Sequence, residues 1–197
     1  MMADILIVYY SNSGSVKKMS QYIARGINDI TGANARLRTV PKISTVAEKM
    51  QPSIPDSGTP YVTVKDLKEC VGLALGSSTR FGNMAAPLKY FIDGLSGDWL
   101  KGTLEGKPAC VFTSAGSLHG GHETTLLSMM FPLLHHGMFI VGIPYSQSEL
   151  STTKSGGTPY GASHFAGANN ELPITNDEKN LCIALGKRLA QISLKVV

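Results

Sequence analysis

The chain has 197 residues, of which 43% are hydrophobic and 16% are charged, and its formal net charge at pH 7 is +4. This length suits one domain with a full hydrophobic core, expected to span residues 1–197, and the composition excludes an intrinsically disordered chain. The charge is small and the basic residues are scattered, so we expect no nucleic-acid partner and favour a small ligand.

Cysteine usage and the first apolar run bear on localisation. The three cysteines, Cys70, Cys110 and Cys182, are far apart and odd in number, which argues against a disulfide framework or a zinc knuckle. The apolar run after Asp4 lasts about seven residues, too short for a secretory signal or a membrane span. We therefore expect a cytoplasmic protein that does not insert into membranes.

Five segments have the texture of strands. Residues 5–10 form a continuous apolar run, typical of a strand covered on both faces in a parallel sheet, whereas residues 35–40 alternate like an edge strand. The continuous texture returns in residues 71–76, 109–113 and 138–143. Helical spacing of apolar residues is found in residues 16–30, 83–95, 124–135 and 175–192, with a shorter helix that opens at residues 63–66. This alternation predicts an α/β fold with a doubly wound parallel sheet, whose ligands bind beyond the carboxyl ends of the strands.

Helix starts and long loops complete this outline. Two helices begin with capping-box patterns, Thr63 with Asp66 and Thr175 with Glu178. Residues 41–60 and 144–173 are rich in Gly, Pro, Ser and Thr and are predicted to be irregular. Loops of this length in a compact domain usually form lids or interfaces.

A hydroxyl-rich loop joins the first strand to the first helix and consists of Ser11, Asn12, Ser13, Gly14, Ser15 and Val16. Open helix N–H groups, the helix dipole and these hydroxyls can together bind a phosphate. The chain contains neither Gly-x-Gly-x-x-Gly nor Gly-Lys-Ser/Thr, so a monophosphate fits better than a dinucleotide or a P-loop nucleotide. The alternative is that Ser, Asn and Gly serve only to cap the helix.

Four further motifs follow in chain order. Gly76-Ser-Ser-Thr-Arg-Phe-Gly-Asn-Met84 follows the third strand and Thr113-Ser-Ala-Gly-Ser-Leu-His-Gly-Gly-His-Glu123 follows the fourth; His135-His-Gly137 and Gly156-Gly-Thr-Pro-Tyr-Gly-Ala162 come later. With the phosphate loop, this ordered set resembles the WrbA family of flavodoxin-like NAD(P)H:quinone oxidoreductases. The resemblance implies a five-stranded sheet in the order 2-1-3-4-5, FMN as cofactor, NADH or NADPH as electron donor, a quinone substrate and a homotetramer built as a dimer of dimers.

The resemblance also implies three flavin-binding loops. Residues 11–16 would bind the FMN phosphate. One side of the ring and the ribityl chain would be bound by Ser78, Thr79, Arg80, Phe81, Gly82 and Asn83. The third loop, at the pyrimidine edge of the ring, would consist of Ser114, Ala115, Gly116, Ser117, Leu118, His119, Gly120 and Gly121.

Three residues are assigned by the resemblance to the substrate side. His136 would lie beside the flavin as a catalytic residue that hydrogen-bonds a substrate carbonyl. Trp99 would be contributed by a neighbouring subunit at the mouth of the pocket, and Phe81 would contact the substrate as well. The residues themselves leave alternatives open, because a histidine that ends a helix can act only on the helix dipole and Trp99 can be a rim or core aromatic. Arg80 can instead form a surface ion pair.

Two positions depart from the family pattern. The third loop is one residue longer and has His119 where small residues are usual, and Ser13 stands where other members can carry an aromatic residue associated with nicotinamide. His119 and His122 have a His-x-x-His spacing, but no third or fourth ligand accompanies them, so no metal site is predicted.

The predicted activity is a ping-pong, two-electron reduction in which NAD(P)H delivers hydride to N5 of FMN and leaves before a quinone takes the electrons. One alternative is a flavodoxin-type electron carrier. Such carriers are usually acidic, whereas this chain carries +4. Another alternative is a protein-binding regulator, for which no helix-turn-helix or basic stripe is present in the sequence.

Overall fold

The computed structural model describes residues 2–43 and 58–196. Seven strands and seven helices lie within these two ranges. In chain order they are β1 (Ala3–Tyr10), α1 (Ser15–Asn28), β2 (Ala33–Thr39), α2 (Val64–Glu69), β3 (Gly72–Arg80), β4 (Asn83–Met84), α3 (Ala86–Asp93), α4 (Ser96–Trp99), β5 (Pro108–Ala115), α5 (His122–His135), β6 (Phe139–Ile140), α6 (Glu149–Thr152), β7 (Ala162–Phe165) and α7 (Asn176–Val196).

The strands form one sheet whose main path consists of five parallel strands in the order β2-β1-β3-β5-β6. The five strands predicted from the sequence therefore have the order 2-1-3-4-5, and the predicted α/β fold is confirmed. Two short strands are added to this sheet. The strand β4 pairs antiparallel with the end of β3, and β7 pairs parallel with β5.

Side-chain alternation explains why β1 is apolar throughout. Ile5 and Ile7 face a layer that contains α1 and α7, whereas Leu6 and Val8 face a layer that contains α3 and α5. All four side chains are fully buried. Both faces of the strand must therefore be apolar, as expected for a central strand of a parallel sheet.

The fifth position of the sheet is split between two segments. Residues 138–143 are predicted as one strand, but only β6 pairs there, with Pro108 and Ala109 at the start of β5. The strand β7 pairs with Phe112–Ala115 at the end of β5. The stretch 144–173, predicted as irregular, thus contains α6 and β7, while residues 44–57 of the predicted loop at 41–60 lie outside the described residues.

The missed strand β7 has an unusual composition. Its central residues, Ser163 and His164, are polar and buried. Ser163 accepts a hydrogen bond from the backbone N–H of Gly157, and Nδ1 of His164 lies 2.9 Å from Oε2 of Glu178. Tertiary contacts make these polar residues acceptable in the sheet, and no pattern of local sequence reveals such contacts.

The direction of α5 determines where its two ends lie. It begins after Gly121, which follows the carboxyl end of β5, and it ends before β6, which pairs with the first residues of β5. The helix of 14 residues therefore runs from the carboxyl edge of the sheet back to the amino edge, a distance of about 20 Å. Among the helices of the described ranges, none combines the length and the apolar content needed to cross a membrane.

Candidate functional site

The N-terminus of α1 is open at the carboxyl edge of the sheet. Gly14 occupies the N-cap position with φ 99°, a left-handed conformation that glycine adopts without strain, and no side chain caps the helix. The Ser11 hydroxyl instead accepts a bond from the N–H of Gly14, at 3.1 Å. No acidic residue lies in the first turn. The first N–H groups of α1 are consequently available to an anion, because no Ser or Asn side chain of the loop caps the helix.

A cavity of about 200 Å³ adjoins this helix end and the carboxyl ends of β1, β3 and β5. Parts of all three predicted loops line it, together with one further residue. The lining consists of residues 11–13, 15–16, 78–80 and 114–116 and Asn170. The side chains are almost all small and polar, and Arg80 is the one charged residue among them. A cavity of this kind suits a polar, negatively charged ligand.

The Ser78 hydroxyl shows that this cavity fits such a ligand. Its oxygen is buried and finds no hydrogen-bond partner within the described part of the chain. The adjacent Ser77 hydroxyl, by contrast, accepts a bond from the N–H of Ala85 and donates to the carbonyl of Ser78. A buried hydroxyl without a partner costs about 1–3 kcal/mol. A phosphorylated, hydroxylated ligand such as FMN would supply the missing partner.

Phe81 lies at the tip of the turn between β3 and β4. Its backbone has φ 52°, in the left-handed region that aromatic residues rarely adopt, and its side chain is fully exposed. The pairing of Arg80 with Asn83 closes this turn, so α3 starts later than the predicted position 83. Backbone strain at an exposed aromatic residue is typical of a functional position.

Arg80 extends from the same turn. Its guanidinium donates to the carbonyl of Thr79 at 2.7 Å, and it forms no salt bridge with a carboxylate in residues 2–43 or 58–196. The surface ion pair considered as an alternative is therefore not observed in these ranges. Arg80 is one of the residues that line the cavity, and its positive charge favours an anionic ligand there.

The third loop packs closely on this turn. Gly121 has φ 91°, and a Cβ added there would lie 2.8 Å from Cα of Gly82. The first part of the loop, Ser114 to Gly116, lines the cavity, whereas the predicted members 117–120 do not. Leu118 and His119 are instead exposed, with the N–H of Gly120 bonded to the carbonyl of Ser117. Ser117, Leu118 and His119 thus form an exposed rim, and Gly120 beside them is partly buried.

His122 differs from His119 in its exposure to solvent, because only His119 is exposed. His122 is buried, its Nε2 has no partner in the described ranges, and burial lowers its pKa. Where the chain is described, no group of three or more His, Cys, Asp and Glu side chains could hold a metal ion.

Trp99 and His136 lie together, but at the opposite edge of the sheet. They line a second, mainly apolar cavity of about 440 Å³, and the Trp99 indole donates to the carbonyl of His135 at 2.7 Å. Nδ1 of His136 is buried with no partner in the described residues, and burial lowers the pKa of this histidine. Since α5 separates the two edges by about 20 Å, one chain does not bring Trp99 or His136 to its own carboxyl-edge cavity.

Asn170 is a cavity residue that the sequence does not reveal. It has φ 58°, and its side chain accepts a hydrogen bond from the Ser13 hydroxyl at 2.9 Å. An Asn in a loop is a common turn signal. Nothing in the local sequence links this position to a loop that lies 157 residues earlier.

The known proteins that are similar to this chain have names that fit a flavin-binding cavity at the carboxyl edge of the sheet. A family profile described as NADPH-dependent FMN reductase matches residues 4–151. A Geotalea daltonii protein named NAD(P)H dehydrogenase (quinone) is 42% identical over 202 residues and covers 98% of both chains. A Geobacter sulfurreducens protein of the same name is 41% identical, with the same coverage. Among solved structures, a flavodoxin described as a WrbA-like protein, from Agrobacterium tumefaciens, has 18% sequence identity and a TM-score of 0.68 over 99% of both chains. At this identity the structural likeness establishes the fold, which is flavodoxin-like.

Proposed function

This chain belongs to the NADPH-dependent FMN reductase family, and from that premise we propose that it is an NAD(P)H dehydrogenase that reduces quinones with FMN as cofactor. The names of its relatives agree with the activity predicted from the motifs, and the description of the family profile agrees with the predicted FMN. One observation carries the proposal. The Ser78 hydroxyl, buried and without a partner in the described residues, and the N-terminus of α1 meet in one polar cavity at the carboxyl edge of the sheet.

The phosphate of FMN fits the α1 end of this cavity. Open N–H groups of the first helical turn, the hydroxyls of Ser11, Ser13 and Ser15 and the nearby charge of Arg80 all favour an anion. When bound, FMN would supply hydride chemistry by accepting two electrons from NAD(P)H and passing them to a quinone. The protein would orient the reactants, and the exposed ring of Phe81 offers a flat surface against which planar groups can pack.

We assign the substrate side of the site to residues from a neighbouring subunit. Trp99 is half-exposed, burial lowers the pKa of His136, and Nδ1 of His136 has no hydrogen-bond partner among the described residues. Both lie too far from the carboxyl-edge cavity of their own chain to act there, so a second subunit would have to present them. His136 could then hydrogen-bond a quinone carbonyl.

A homotetramer, built as a dimer of dimers, is the assembly we propose. The layer formed by α3, α4, α5 and β6 carries large exposed hydrophobic side chains, which are Tyr90, Trp99, Leu100, Phe131, Leu134 and Phe139. Exposed apolar surface of this extent is typical of protein–protein interfaces. The same layer contains the Trp99–His136 cavity, so assembly through it would bring these residues to another subunit.

We further propose that residues 1–197 form one domain and that the protein is cytoplasmic. Cys70, Cys110 and Cys182 support the second point, because all three are free and buried. Burial raises the pKa of each thiol and thus keeps it protonated and unreactive.

Steady-state oxidation of NADH and NADPH by the FMN-loaded protein, with and without benzoquinone, tests the activity. We expect quinone-dependent turnover that exceeds a control with the same concentration of free FMN. Absence of that turnover, together with tight FMN binding, would instead support the flavodoxin-type carrier.

A further inference from the structure

We propose that Asn170 is a binding residue for the FMN phosphate and sets the position of Ser13, an inference that rests on the proposed function. Asn170 lines the same cavity as the phosphate loop and as Ser78, whose hydroxyl has no partner within residues 2–43 and 58–196. It belongs to a turn after β7, residues 166–172, which we call the fourth wall and which contributes Asn170 to the lining of the cavity.

The backbone holds this turn firmly against β5. The N–H of Ala166 donates to the carbonyl of Ala115 at 2.8 Å, and the N–H of Leu172 returns to the carbonyl of Ala166 at 3.0 Å. Within the turn, the N–H of Asn170 donates to the carbonyl of Gly167 at 3.1 Å. The position of Asn170 relative to the third loop is consequently fixed by the sheet.

The conformation of Asn170 explains the residue type. Its φ of 58° lies in the left-handed region, which Asn, Asp and Gly tolerate better than other residues. Two substitutions can therefore change the side chain without adding backbone strain. Gly removes the side chain, and Asp keeps its shape and adds a negative charge.

The amide of Asn170 can serve the phosphate in two ways. Its Oδ1 accepts a bond from the Ser13 hydroxyl at 2.9 Å, which links the fourth wall to the phosphate loop. Its Nδ2 donates to no group in the described parts of the chain, so a donor remains available at the cavity. A phosphate dianion accepts such donors strongly, and it would bind an amide in preference to a carboxylate at this position.

The test compares two ligands that differ only in the phosphate. Apo-protein is titrated with FMN and with riboflavin, and binding is followed by flavin fluorescence. We expect Asn170→Asp to weaken FMN binding by roughly tenfold or more and Asn170→Gly by several-fold, since like charges repel and a charge-assisted bond is lost. Riboflavin affinity should stay unchanged in both variants, because riboflavin carries no phosphate.

Asn169→Asp is the matched control. It adds the same charge one residue earlier, at an exposed position that does not line the cavity. Equal losses of FMN affinity in Asn169→Asp and Asn170→Asp would show that the added negative charge acts at long range and not through contact at position 170. That result would overturn the inference. An equal loss of riboflavin affinity would show that Asn170 only supports the fold of the turn, which also overturns it. Failure of the unaltered protein to bind FMN would refute the proposed function instead, whereas normal FMN binding by both Asn170 variants would refute only the role of Asn170.

Discussion

The substitution Glu178→Gln should weaken the attachment of β7 to α7. The Glu178 carboxylate is completely buried and has five hydrogen-bond partners from the long insertion and the start of α7. Those partners are the Ser155 hydroxyl, Nδ1 of His164 and the backbone N–H groups of Gly156, Phe165 and Thr175. A glutamine at position 178 has only one acceptor oxygen, and its NH₂ group would face donor groups that now bond to the carboxylate. At least one of those donors would therefore lose its acceptor.

The size of the effect follows from the pKa of Glu178. Burial opposes ionisation of this carboxyl, but the bonds from His164, Ser155, Thr175 and Phe165 outweigh burial and lower its pKa from 4.5 to about 2. That difference corresponds to about 3 kcal/mol of stability at neutral pH. Because the folded-state pKa is the lower one, this contribution is fully present above pH 4.5 and is lost as the pH falls toward 2.

Urea unfolding followed by circular dichroism, at several pH values between 3 and 7, measures this contribution. We expect Glu178→Gln to lower the free energy of unfolding by about 3 kcal/mol at pH 7 and to flatten its decline below pH 4.5. Glu105→Gln, at an exposed position, is the control and should behave like the unaltered protein. A Glu178→Gln variant with unchanged stability at pH 7, or with an unchanged acid profile, would refute this reasoning.

Three further predictions concern the site and the assembly. Phe81→Gly should raise the free energy of unfolding by about 1 kcal/mol in urea titrations, because glycine relieves the strain of the left-handed backbone. The same variant should reduce quinone more slowly. A less stable variant would contradict the strain argument. The double change of Ser13 and Ser15 to Ala should weaken FMN binding by roughly tenfold or more while riboflavin titrations stay unchanged, since charge-assisted bonds to the phosphate are lost. Phe131→Asp, at an exposed position of α5, should shift sedimentation equilibrium toward smaller species and lower quinone turnover without unfolding the chain. A monomer in the unaltered protein at micromolar concentration would remove the assembly from the proposal.

The continuous apolar runs in the sequence predict the parallel sheet, because each central strand is buried on both faces. The run from Ile5 to Tyr10 carries that information locally, as does the helical stripe of α1. The capping boxes at Thr63 and Thr175 are equally local, and both are present in the structure. These features are encoded within a few consecutive residues, so the sequence suffices to find them.

The parts that sequence reasoning missed depend on distant partners. Ser163 and His164 are polar, and only their bonds to Gly157 and Glu178 allow β7 to join the sheet. Asn170 reaches the site through a bond to Ser13, far away in the chain. Spacing alone cannot indicate such pairs, because the intervening fold decides which residues meet.

The location of His136 could be deduced from the predicted order of strands and helices. A helix that follows a parallel strand returns to the amino edge, so the predicted helix at 124–135 already implied that His136 lies away from the carboxyl-edge cavity. Family resemblance suggests which residues share a site, but it does not state which copy of the chain contributes each one. The fold shows only that His136 lies at the amino edge of the sheet in its own chain.

The bonds to Glu178 also bear on the order in which the cavity forms during protein synthesis. Domains acquire structure as the chain emerges from its amino end. The phosphate loop, the Phe81 turn and the third loop all precede α7, and so does β7, whose buried His164 has its carboxylate partner on that later helix. We therefore expect the fourth wall of the cavity to become ordered only after α7 has been made. We expect FMN to bind the released chain in preference to the nascent one.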